Sequence, residues 1–151
     1  MTTYKHTQRG TLTITVIGGG VALLAGLAVY MYQTGHEAAW VPTAVAAILG
    51  VTLLVFHSLN VEVGDGELRL QYGVGFPSKT INLSEVAKVE TVRNRWWYGW
   101  GIRYTPHGWL YNICGLDAIE LTFHSGYTMR IGTDEPKALR DAVRAELPNR
   151  R

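Results

Sequence analysis

The chain has 151 residues, 47% hydrophobic and 17% charged, with a formal net charge of +2 and a single cysteine, Cys114. These averages hide two unlike parts: residues 10 to 36 and 38 to 61 hold no Asp, Glu, Lys or Arg, whereas Glu62 to Arg151 holds 12 of the 14 basic and 11 of the 12 acidic residues. The split and the lone cysteine argue against a wholly soluble globule, a disordered chain and a disulfide-built scaffold.

Residues 1–10, with Lys5 and Arg9, read as a short cytoplasmic N-terminus ahead of a membrane anchor. Leu12 to Tyr32 is almost wholly apolar, and at about 1.5 Å per residue a helix of that length matches the roughly 30 Å hydrocarbon core of a bilayer. A second run, Ala39 to Leu59, carries Pro42 in its first turn, where a missing N–H costs little. Only Gln33 to Ala38 joins them, so residues 11–60 are expected to form an antiparallel two-helix transmembrane hairpin, since lipid offers no partner to a stray backbone amide. A cleaved signal peptide is the competing reading of the first segment. Its apolar run exceeds the usual ~7–15 residues, however, and no small-residue cleavage site closes it.

Lys5 and Arg9 precede the first span and Arg69 and Lys79 follow the second, while the turn contains Glu37 and no basic residue. The positive-inside rule then puts both termini in the cytoplasm and the turn outside, in the cell inner membrane. Tyr30, Tyr32 and Trp40 would form an aromatic belt at the outer interface. Gly18, Ala22 and Gly26 recur every fourth residue on the first helix, and Ala46 and Gly50 on the second, which suits close helix packing. Gly18-Gly19-Gly20 is no phosphate loop, because it lies within an apolar span and lacks the Gly-Lys-Ser/Thr that would follow. His57, the ionisable side chain within the spans, is read as snorkelling to the cytoplasmic interface rather than as functional.

Beyond Asn60 the apolar residues alternate, as in strands with one buried face. Val61 and Val63 face Leu68, Leu70 and Tyr72 across Gly64-Asp65-Gly66, a hairpin turn. Further strands are expected at Lys79 to Leu83, Val86 to Val92, Gly101 to Thr105 and Gly108 to Asn112. In the last pair Ile119, Leu121 and Phe123 face Met129 and Ile131 across a two-residue turn, Ser125-Gly126. Thr133-Asp134-Glu135-Pro136 reads as a helix start, with Thr133 and Asp134 as caps, and Leu139, Val143 and Leu147 form an apolar stripe. The expected fold of residues 61–148 is α+β: a bent antiparallel sheet or partly open barrel of about seven or eight strands capped by a C-terminal helix, before a basic tail at 149–151.

The strand order and the ending, above all the run from Ser125 to Pro136 leading into Leu139, resemble the bacterial pleckstrin-homology-like domains, which are often carried on one or two membrane helices. The resemblance spans about Val61 to Leu147 and implies a strongly bent sheet closed by the helix. Members that bind phosphoinositides usually hold the phosphates with clustered Lys and Arg around the loop between the first two long strands. Here that loop, Gly73 to Pro77, has no basic residue and only Lys79 follows it, which argues against high-affinity phosphoinositide recognition. The near balance of 12 basic and 11 acidic residues provides no general basic field, so nucleic acid is not an expected partner.

The candidate contact residues are Arg93, Arg95, Trp96, Trp97, Tyr98 and Trp100, with Trp109 and Tyr111 close behind. Trp and Tyr favour headgroup depth, and Arg can pair with lipid phosphate. The alternative is that these rings fill a small core or fold over its end. His107, Cys114 and His124 match no zinc-binding or nucleophile spacing. Asp117, Glu120, Asp134 and Glu135 read as a solvated strand edge and a helix start, so no catalytic residue, metal or cofactor is expected. The expected function is a non-enzymatic, membrane-anchored binding or scaffolding module. Its partners would be the lipid bilayer, a membrane or cytoplasmic protein, or a second copy of the chain in a homo-oligomer. The alternative is a small accessory subunit docking onto a larger membrane transporter or enzyme through its helices.

Overall fold

In the computed structural model, which describes residues 2–148, the N-terminal stretch is not a plain lead-in but an eight-residue strand, β1 (Thr2–Arg9). The expected basic tail at 149–151 lies outside the described residues. In β1 the period of two is present, with Tyr4, His6 and Gln8 turned inward. Those inward positions are polar or aromatic, so the alternation carries no apolar signal.

The chain then makes α1 (Thr11–Gln33), a 3-10 turn at Glu37–Ala39, and α2 (Trp40–Phe56). Both helical segments are long and apolar enough to cross a membrane, and only 6% and 11% of their apolar windows are buried within the protein. The core helices of a soluble globule would be mostly covered. Buried and half-buried residues fall at Ile17, Val21, Leu24, Ala28 and Met31 of α1 and at Pro42, Ala46, Leu49, Leu53 and Phe56 of α2. This three-and-four spacing gives each helix one stripe for the other. Gly18 faces Leu53 and Gly20 faces Leu49, each 3.9 Å from where a Cβ would stand. Of the small residues expected to pack, Gly18 and Ala46 lie on the shared side and Gly50 is half-buried, while Ala22 and Gly26 are exposed on the outer side of α1.

His57 alone separates α2 from β2 (Ser58–Gly64), which starts three residues before the visible alternation. Ser58 and Leu59 are already buried there. β2, β3 (Glu67–Tyr72) and β4 (Ser78–Asn82) join β1 in an antiparallel sheet of order β1-β2-β3-β4. The second sheet holds β5 (Val86–Arg93), β6 (Gly101–Thr105), β7 (Gly108–Asn112), β8 (Asp117–Phe123) and β9 (Thr128–Gly132), in the order β5-β8-β9-β7-β6. The expected single bent antiparallel sheet or partly open barrel of about seven or eight strands is thus corrected, among the described residues, to nine strands in two sheets of four and five, without a closed barrel. Two features account for the difference. β1 adds a strand to the first sheet, and in the second the β6–β7 hairpin docks along the free edge of β9 with β7 running parallel to it.

Ile119 pairs with Ile131 and Leu121 with Met129, as expected, but the loop between β8 and β9 is His124-Ser125-Gly126-Tyr127, four residues rather than two, with the Phe123 amide donating to the Tyr127 carbonyl across it. One core serves both sheets: Leu59, Val61, Leu68 and Leu70 of the first meet Ile119, Leu121 and Ile131 of the second. α3 (Pro136–Glu146) adds Leu139 and Val143, both fully buried, while Leu147 packs at the edge. At the start of α3 the N-cap residue is Glu135, whose side chain makes no cap bond; of the two expected caps, the Thr133 hydroxyl accepts from the Glu135 amide at 3.1 Å, and Asp134 is engaged elsewhere. Asp134 binds His6 at 2.6 Å and Glu135 accepts from the Tyr4 hydroxyl at 3.2 Å, while at the other end of the helix Glu146 accepts from the Thr3 hydroxyl at 2.6 Å. α3 is therefore fastened to β1.

Candidate functional site

Where α2 meets the sheets, the β3–β4 loop comes up against its last turn. Gly73 has φ +40 and its amide donates to the Ser58 carbonyl at 2.9 Å. A side-chain carbon at this position would collide with the Leu54 and Val55 carbonyls, so only glycine allows the approach. The next residues leave two large apolar side chains uncovered: Val74 is 73% exposed and Phe76 74%. Sequence reasoning weighed this loop only for its lack of positive charge. The signal it missed was apolar side chains between glycines in a loop, Val74 and Phe76, which the fold leaves exposed.

A second segment reaches the helix ends from the other sheet. Trp100, Ile102 and Arg103 form one side of a crevice of about 880 Å³, with Leu12, Val16 and Ile17 of α1 and Thr52 and Phe56 of α2 among the residues opposite. Gly99, at φ +69, lets the guanidinium of Arg103 fold over it, and the Arg103 Nε donates to the Trp100 carbonyl at 2.8 Å. Ile113, buried at the inner end of the crevice, accepts a hydrogen bond from Thr13 through its carbonyl at 3.3 Å. Arg103 and the helix residues were not among the sequence candidates. Only the adjacency of Arg103 to the aromatic run could have drawn attention to it.

The expected cluster is divided rather than gathered. Trp100 alone joins the crevice. Trp96–Tyr98 forms a 3-10 turn, and Trp97 and Tyr98 line a separate depression of about 550 Å³ with Arg103, Tyr104 and Pro106 along the β6–β7 hairpin. The Arg95 guanidinium lies 5.0 Å from the Trp97 ring centroid, a cation–π contact. Arg93 ends β5 opposite Asp117, and Trp96 is 76% exposed. Trp97, Trp100 and Trp109 also stand at least 42% exposed, so these rings do not fill the core.

The charges follow a similar division. Lys5, Arg69, Lys88, Arg130 and Arg140 each have a carboxylate partner. Among the described residues, none lies within ion-pair distance of Arg9, beside the start of α1, of Arg93, Arg95 or Arg103, or of Lys79, Lys137 or Arg144. Arg130 is the buried member of the paired set, donating to Glu120 at 2.7 Å and Asn94 at 3.1 Å, which pins the chain just before the aromatic run.

His107, Cys114 and His124 are not brought together in either crevice. The His107 ring lies 6.2 Å from Tyr98, and the His124 amide donates to the Glu85 carbonyl. The Cys114 thiol donates to the Arg9 carbonyl at 3.4 Å, and burial pushes its pKa up, the reverse of what an activated nucleophile needs. Tyr72 and Tyr111 are likewise raised by burial and stay neutral phenols. A scan against protein-family models and a search of curated proteins return no match, so a functional reading rests on this geometry.

Proposed function

We propose that this protein is a non-enzymatic, membrane-anchored binding module, in which a pleckstrin-homology-like domain is held flush against the cytoplasmic face of the inner membrane to contact lipid headgroups or a membrane-borne partner. The observation that carries this reading is the absence of slack at either junction. Gly10 alone separates β1 from α1 and His57 alone separates α2 from β2, and the two strands are paired from Arg9 and Ser58 onward. At ~3.5 Å of reach per residue, the domain cannot leave the headgroup layer once the helices are in place. Weak contacts then act at high effective concentration. The exposed Val74 and Phe76 on one sheet and Trp100 on the other flank the helix ends, which suits insertion at that depth. The two sheets sharing one core with a C-terminal helix support the pleckstrin-homology-like part, and the basic residues at the outer ends of the hairpin support the cytoplasmic orientation.

The test uses full-length protein with Cys114→Ser and Phe76→Cys, labelled with an environment-sensitive dye and reconstituted in vesicles of phosphatidylcholine and phosphatidylglycerol. Blue-shifted emission relative to detergent-free buffer is the expected result. Emission as in water, with both helices still protected from protease, sinks the reading.

A second reading has one observation in its favour. Ala22 and Gly26 lie exposed on the outer side of α1, where another protein's helix could pack closely, as in an accessory subunit. Intramembrane crosslinking from Ala22→Cys to a different polypeptide would support it.

A further inference from the structure

We infer that the crevice between the helix bases and the Trp100–Arg103 segment is the seat of a single anionic phospholipid, with one acyl chain along the helices and the phosphate on Arg103. The inference deepens the membrane-contact reading above and rests on it.

The wall of the crevice is dry. Leu12, Val16, Ile17 and Phe56 offer only carbon, and the two threonines that line it have spent their hydroxyl protons within the protein. Thr13 donates to the Ile113 carbonyl at 3.3 Å and Thr52 to the Ile48 carbonyl at 2.9 Å. What remains for a ligand is apolar surface with one strong donor group beside it. The Arg103 Nε is held by the Trp100 carbonyl. Its two terminal nitrogens have no hydrogen-bond or ion-pair partner among the described residues. A guanidinium fixed in orientation at one atom and open at two others suits the paired oxygens of a phosphodiester. The arrangement thus selects an amphiphile with an apolar chain and an anionic head.

Continuity with the helices decides which amphiphile. The lining residues of α1 are in its first two turns and those of α2 in its last two, so with the helices across a bilayer the crevice would stand at the level where chain meets headgroup. At that depth the occupant in excess is membrane lipid rather than a free phosphate compound. The volume, about 880 Å³, lies within the roughly 300–1,000 Å³ of small-molecule sites and has room for an acyl chain with part of its headgroup. Trp100, at the lip, covers the glycerol region.

The test uses full-length protein in which Trp40, Trp96, Trp97 and Trp109 are replaced by Phe, so that Trp100 is the sole indole, reconstituted in phosphatidylcholine vesicles. Spin-labelled phosphatidylglycerol or spin-labelled phosphatidylcholine is added at equal mole fraction. Phosphatidylglycerol should quench Trp100 with about fivefold the apparent affinity of phosphatidylcholine: both offer Arg103 a phosphodiester, but the choline cation cancels that charge, and a net anionic head is worth about 1 kcal/mol to one Arg. Arg103→Gln should bring the two together, and Val16→Trp read by lipid retention should empty the crevice. Equal quenching in the parent overturns the seat but leaves membrane contact standing. Quenching by neither lipid, with the helices inserted, overturns the seat and the lipid-contact form of the reading above, whereas protection of Trp100 by a second copy of the chain overturns the seat and leaves the partner form standing. Because the four-fold Trp variant could fold poorly, the wild-type protein is also released from micelles into a mass spectrometer. One retained phosphatidylglycerol, lost in Arg103→Gln, is expected, and its absence from wild type overturns the proposal.

Discussion

The Gly10 amide donates to the His57 carbonyl at 2.9 Å, joining the residue before α1 to the residue after α2. This bond continues the β1–β2 ladder up to the base of the helices, so anchor and domain share one framework. The register places Lys5 opposite Glu62, with their side chains ion-paired at 2.6 Å. Lys5→Cys with Glu62→Cys, in a Cys114→Ser background, should form a disulfide on mild oxidation, read as a mobility shift under non-reducing conditions. Lys5→Cys with Val61→Cys should not, because successive strand residues leave opposite faces.

Gly73 is the tightest backbone approach between the anchor and the β3–β4 loop. Gly73→Ala adds a methyl group where the Leu54 and Val55 carbonyls already stand, at a positive φ. The expected cost is about 1–3 kcal/mol, seen as a lower unfolding midpoint in mild detergent. Gly75→Ala is the informative comparison, since its φ is also positive but a Cβ there meets nothing. A cost equal to that of Gly73→Ala would assign the effect to backbone conformation alone.

Leu139 is fully buried where α3 covers the core shared by the sheets. Leu139→Ala should lower stability by roughly 2–5 kcal/mol, as deletion of a core leucine does. Denaturation monitored by far-ultraviolet circular dichroism can isolate this loss, because the α1–α2 signal persists in detergent. A change under 1 kcal/mol would mean that the helix does not seal the core.

The same comparison explains what could be read from residues alone. The apolar runs, the alternation from Val61 onward and the stripe Leu139–Val143 were legible because burial imposes a period on apolar residues. β1 was not legible. Its inward residues, Tyr4, His6 and Gln8, are chosen to meet α3 and the β7–β8 loop through hydrogen bonds, and polar partners leave no hydropathy pattern. The parallel pairing of β7 with β9 is a long-range choice that no local signal encodes. At the candidate site Trp100 was legible from composition. The crevice around it was not, because its other wall comes from α1 and α2, both distant from Trp100 in the chain.

Low pH should loosen the attachment of α3 to β1 and the β2–β3 turn. The Glu146 carboxylate accepts from the Thr3 hydroxyl at 2.6 Å and the Gly66 amide at 3.2 Å, and these two bonds, the Thr3 bond first, lower its pKa. A carboxylate lowered on folding adds stability above its unfolded pKa and loses it as pH falls through the lowered folded value. The protection of the Gly66 amide, its exchange rate compared with the intrinsic rate at the same pH, should therefore fall in acid more than that of amides in the sheet interior. Glu146→Gln should show the faster exchange already at neutral pH, and an unchanged Gly66 rate in that variant would refute the assignment.

The pairing of β1 with β2 also has a meaning for biogenesis. β1 leaves the ribosome before β2, and its partner arrives only after forty-eight more residues, all of them helix, turn or junction. If just one of the two rods were threaded through the lipid, the strands would be stranded in different compartments and neither could find its mate. For helices that cross a membrane as proposed, completion of the sheet would report correct insertion, and a mis-threaded nascent chain would show an open strand edge and an unclosed core to the cell's quality-control proteases.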